Sequence, residues 1–170
     1  MAIVAADIKY RLSGGASNSD LSLSLGGAKS STEVADSPSL HNLFDVVSGA
    51  ELSAGDVEYR CVYIHNAHAT LTAESMVVYI NSNTPSADTA AAIGLGTAAI
   101  NATEQTVANE STAPSGVTFS AAAGSGNALS IGNIPPGQHK SLWLRRTVTA
   151  GGAAYSSDVV QLALVFDTAP

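Results

Sequence analysis

Charge is what this chain has least of. Asp, Glu, Lys and Arg make up 12% of its 170 residues, about half the ~25% of an ordinary soluble domain. Only seven residues are basic: Lys9, Arg11, Lys29, Arg60, Lys140, Arg145 and Arg146. With fourteen acidic residues the net charge is −7. No Lys or Arg lies between Arg60 and Lys140. A nucleic-acid binder needs clustered cations to displace phosphate counterions, so DNA and RNA are excluded as the main partner. Cys61 is the single cysteine, which excludes an internal disulfide. No apolar run approaches the ~20 residues that cross a bilayer, so no membrane partner is expected. The opening MAIVAADIKY is apolar only briefly. No basic stretch precedes it and Asp7 interrupts it, so no secretory signal is expected. Synthesis in a cytoplasm without an export address is the resulting expectation.

Small residues replace the missing charge. Ala, Ser, Gly and Thr abound, and hydrophobic residues reach 45%, too many for a disordered chain. The length suits one domain, burying roughly 70% of the surface its unfolded chain would expose. A weakly charged surface of small side chains suits permanent contact with neighbours.

The first 55 residues are turn-rich: SGGASNSD from Ser13, SLGGAKSST from Ser24 and DSPS from Asp36 to Ser39. In DLSLSL, Asp20 to Leu25, the alternation of Leu21, Leu23 and Leu25 with serines predicts a half-buried strand. HNLFDVV, His41 to Val47, fits a strand or one helical turn. This glycine- and serine-rich stretch cannot make its own core and must lie against its own sandwich or a neighbouring subunit, so residues 1–55 are expected to form an extended arm or strand-exchange segment. The body is expected over 56–170. There Val57, Tyr59, Cys61 and Tyr63 alternate with Glu58, Arg60, Val62 and Ile64, predicting a strand that starts at a rim and runs inward. HNAHAT links it to a strand over Leu71–Ile80, with Met76, Val78 and Ile80 opposite Val77 and Tyr79. The alanine-rich stretch from Pro85 to Gly126 holds glycines and β-branched residues that argue against a long helix. Short strands are expected at Gln105–Ala108 and Gly116–Ser120. Leu129–Ile134 is a strand, Pro135-Pro136-Gly137 a turn, and Lys140–Val148 a strand. Asp158–Asp167 is apolar on both faces apart from Gln161, predicting a central strand that pairs with the preceding one as a hairpin. Strands separated by turns predict an all-β sandwich, jelly-roll or immunoglobulin-like.

The chemistry-bearing residues read as scaffold. His65 and His68 fall in a connection with only Cys61 and Glu74 near in sequence, short of a zinc set of three or four ligands, so no metal is expected. Cys61 points to the interior with Arg60 on the opposite side of the strand, so nothing activates its thiol. The acidic residues are scattered, and no nucleophile elbow, phosphate loop or paired metal-binding histidines on a helix appear. No catalytic residue and no cofactor is expected. Trp143 and Arg145 share one strand face, with Arg146 on the other. They are either an interface anchor or a core-closing Trp with arginines at the rim. Gly-Gly-Ala recurs at Gly14, Gly26 and Gly151, as turns or as points of tight backbone approach.

Several segments carry a resemblance: YRLSGGASNSDLSLSLGGAKSSTEV, NLFDVVSGAELSAGDVEYRCVYIHN, ANESTAPSGVTFS and IPPGQHKSLWLRRTVTAGGAAYSSD. Together they resemble small structural proteins encoded among the virion genes of tailed bacteriophages. That resemblance implies a decoration (cement) protein on the capsid exterior, a β-sandwich assembled as a dimer or trimer with an arm on the major capsid protein. Leu21, Leu23, Leu25, Leu43, Phe44, Trp143 and Arg145 are then the expected interface residues. A tail, collar or baseplate protein of the same virion is the alternative, and a carbohydrate-binding module is a further one.

Overall fold

The computed structural model describes residues 2–34 and 41–168; the turn expected at Asp36–Ser39 lies outside them. The elements are β1 (Ile8–Leu12), β2 (Gly26–Gly27), α1 (Gly49–Ala54), β3 (Asp56–Asn66), β4 (Ala73–Ser82), β5 (Thr89–Leu95), β6 (Glu104–Thr106), β7 (Leu129–Ile134), β8 (His139–Val148) and β9 (Gln161–Thr168). One sheet runs β1-β3-β8-β5, a second β7-β4-β9, and β2 and β6 make a two-stranded ribbon. Every pairing of these strands is antiparallel. The chain is an all-β sandwich.

Pairings are nested. β3 pairs with β8, β4 inside them with β7, and inside those Ile93 of β5 bridges Ser120. A long ribbon folded over in this way is a jelly-roll pairing order, and it separates the two sandwich topologies the sequence left open. Between the sheets Val62, Ile64, Ile93, Leu142 and Leu144 meet Met76, Val78, Ile80 and Ile134. Each such side chain contributes about 1.5–3 kcal/mol on burial. The alternation expected for β4 is borne out, since Met76, Val78 and Ile80 are buried and Val77 and Tyr79 are not.

The four-stranded sheet is buried on its other face too. Cys61, Trp143 and Val107 form a second core with Leu25, Tyr59, Val117 and Phe119 around it. Two segments cover it, one from the N-terminal region and one from residues 96–119. They are joined by β2–β6 and by Val107 N–H donating to Leu25 O at 2.9 Å. This third layer explains why β3 and β8 are apolar on both faces.

The N-terminal segment is therefore built into the body, not extended from it as an arm. β1 pairs with Tyr63 and its neighbours on β3, Cys61 N–H donates to Ser24 O at 2.7 Å, and Ser13 Oγ donates to Cys61 O at 2.9 Å. Leu12 is 1% exposed. Without this segment β3 would end in unpaired N–H and C=O groups, which is costly in a buried strand.

Four further expectations are corrected. DLSLSL is not a strand: Leu21–Leu23 is a 3-10 turn, because the Asp20 carboxylate accepts from both Ser22 N–H (2.9 Å) and Ser22 Oγ (2.7 Å). Such local bonds compete with sheet pairing, and they leave Leu23 exposed while Ser24 is buried. Gly116–Ser120 makes only the Ser120 bridge. β5, in the alanine-rich stretch, is a strand that alternation could not reveal; Gly94 sits where a Cβ would lie 2.6 Å from Val117 Cγ1. Finally, β9 is an edge strand in the other sheet from β8, not a central strand or its hairpin mate.

Candidate interaction surface

Leu21, Leu43 and Phe44, distant in sequence, meet around one pocket of about 220 Å³, with Asp20, Ser22, His41, Asp45 and Arg60 completing its wall. The Phe44 ring lies under two guanidinium groups, Arg60 at 5.6 Å and Arg146 at 5.0 Å from its centroid. Both cations are already paired, Arg60 with Glu110 and Arg146 with Glu58 and Asp45. The pocket thus mixes three apolar side chains with Asp20, Asp45 and the buried Arg60, whose charge Glu110 offsets. Leu23 and Leu25 line a second, wider groove of about 380 Å³ with Gly14, Gly15, Gly26, Gly27, Ala28, Thr106 and Val107. Two of the Gly-Gly-Ala repeats converge here. Gly26 has φ +92°, and a Cβ on it would sit 1.8 Å from Gln105 O, so only glycine lets the layers approach. Trp143 lies in neither surface: it is fully buried. Arg145 stacks over Phe119 at 5.3 Å, on the covered face of the sheet.

The titratable groups are absorbed by the fold. His68 Nδ1 accepts from Thr70 and Leu71 N–H, at 3.2 and 3.0 Å, closing the turn after β3. The neighbour of His65 is not His68 but His139, directly across the β3–β8 ladder. His139 meets the Tyr63 ring edge-on at 4.8 Å. Burial pushes the Cys61 thiol far up, with the Glu104 charge adding to this. Burial also works to raise Glu104, but hydrogen bonds from Ser141 Oγ (2.6 Å), Ala98 N–H (3.0 Å) and Thr97 Oγ1 (3.1 Å) outweigh it and hold the carboxyl below its ordinary value. Tyr63 Oη donates to Gly27 O at 2.5 Å and accepts from Glu104 N–H at 2.8 Å. This network locks the outer layer to the sheet.

Burial, with the positive charge of Lys29 and neighbouring His65, lowers His139 to about 4; burial and Lys29 also lower His65. The unfolded chain therefore binds a proton at His139 that the fold rejects between about pH 6.5 and 4. The His139 contribution to stability falls on acidification through that window, by about 2 kcal/mol once partial exposure is allowed for, while Glu58, which burial raises to about 7, works in the opposite direction. Urea unfolding at pH 6.5 and 4.5 is expected to show a smaller acid loss in His139→Gln than in the parent. An equal loss in both would remove His139 as its source.

Sequence reasoning missed the surface at the C-terminal end. β9 borders only β4. Leu162, Leu164 and Phe166 pack partly on the main core, while Val165 stays 51% exposed. Tyr155 and Val159, just before it, are more than half exposed. The signal was the lack of alternation in DVVQLALVFD, which fits a central strand and an uncovered edge equally well. Set against family models, curated proteins and solved structures, the chain matches none.

Proposed function

We propose that this is a non-enzymatic structural protein of a tailed-phage virion, a decoration protein on the outside of the capsid, bound to the major capsid protein and to further copies of itself. The assembly half of the reading rests on β9. An eight-residue edge strand with Ala163 and Val165 on its outward face, between Gln161 and Asp167, is an aggregation hazard unless a neighbour pairs with it, and strand addition at such an edge is a common mode of docking. The virion half rests on the resemblance of the segments quoted above. The Leu21–Leu43–Phe44 pocket, of mixed apolar and charged lining, and the glycine groove of small residues add two surfaces, and many weak contacts repeated on one shell give avidity.

Sedimentation of the purified chain is expected to show a dimer or trimer, with Val165→Lys shifting it toward monomer. Mass spectrometry of purified particles is expected to find copies in numbers that match a capsid shell. A few copies per particle would instead place the protein in the tail, collar or baseplate. Absence from the particles would overturn the virion reading.

A further inference from the structure

Three carboxylates converge where β3 begins. Glu51 lies on α1, whose first turn is closed by a reciprocal cap between Ser48 and Glu51, and Gly55 ends the helix at φ +77°. Asp56 and Glu58 follow on β3, and residues two apart on a strand share a face. Each of the three offers an oxygen within 4.8 Å of the other two. Acidic groups gather on many surfaces without consequence, but Glu58 sets this group apart. It is 1% exposed, its Oε2 is taken by Arg146, and its buried Oε1 has no hydrogen-bond partner among the described residues. Arg146 is itself divided between Glu58 and Asp45. The Asp56 carboxylate has no hydrogen bond or ion pair to any described residue. Glu51 spends Oε2 on Ser48 N–H at 2.6 Å, and Oε1 remains.

We propose that Glu51, Asp56 and Glu58 bind a calcium ion. The donors are all oxygen, which suits a hard cation. They come from a short helix and the start of a strand, an irregular set that calcium accepts with six to eight oxygens at variable angles. Magnesium demands near-ideal octahedral geometry. An ion here would favour the charged form of the Glu58 carboxyl, which burial raises to about 7 despite Arg146, and would offset the carboxylates of Glu51 and Asp56 beside it. It also ties α1 to β3 and, through Arg146 and Asp45, holds the 41–54 connection that forms one wall of the Phe44 pocket. The inference stands independently of the virion reading.

The test uses the full chain, freed of metal with a chelator and titrated with CaCl₂ by calorimetry alongside thermal unfolding. One ion per chain is expected, with a dissociation constant at or below about 10⁻³ M and a rise in the unfolding midpoint. Asp56→Asn and Glu51→Gln should each weaken binding about tenfold or more while leaving the metal-free circular dichroism unchanged. Magnesium at equal concentration should leave the midpoint where it was. No heat and no midpoint shift would overturn the site, as would binding undiminished in both variants. A magnesium response equal to that of calcium would overturn the choice of ion.

Discussion

Replacing Trp143 by alanine is expected to cost about 3–5 kcal/mol, the largest side-chain effect in the fold. The indole is fully buried and Nε1 finds no hydrogen-bond partner among the described residues, so its contribution is packing alone. It fills the space between the four-stranded sheet and the outer layer, against Cys61 and Val107 and with Leu25, Tyr59, Val117 and Phe119 nearby. On the adjacent strand its partner is Gly94, which has no side chain to close the void. Domains of this kind are stable by only about 5–15 kcal/mol, so the loss is a large share of the total. Urea unfolding followed by circular dichroism measures it. Trp143→Phe should recover part of the loss. A cost below about 1 kcal/mol for the alanine variant would mean that the outer layer is not packed on the indole.

The second large effect is expected from removing residues 1–34. An arm could be cut away and leave a folded sandwich. Here the cut would strip β1 and the Ser24 carbonyl from β3, the Gly27 carbonyl from Tyr63, and Leu25 from the second core. Buried backbone groups would lose their partners, at about 1–3 kcal/mol each, and the outer face of the sheet would open to water. The shortened chain is expected to show no cooperative thermal transition and to aggregate. A sharp transition near that of the full chain would restore the arm reading.

Much of the body was legible because its strands carry their own signals. Leu129–Ile134 and the Pro135–Gly137 turn agree with the strand and turn of the structure, with Gly137 at φ +73°. Val62 and Ile64 on one side and Cys61 and Tyr63 on the other gave β3 its length. The Ser48–Glu51 capping box that starts α1 is also written locally, although the sequence reading passed over it. The carboxylate trio was less visible. Its spacing, with five residues from Glu51 to Asp56 and two more to Glu58, means nothing until Gly55 turns the helix onto the strand.

What the sequence determined by itself is local: which stretches extend, where turns fall, and that the fold is all-β. Tertiary structure alone decided which faces are covered. Glu58 and Arg60 look like rim residues, yet each is 1% exposed, because Phe44, Arg146 and Glu110 arrive from distant parts of the chain. The leucines of DLSLSL look like a buried stripe, yet a single aspartate bends them into a turn. β9 looks central and lies at an edge. Period and propensity act over a few residues, whereas burial depends on which distant segment packs against a face, and residues such as Gly26 and Gly94 permit that contact only once the sheet has formed.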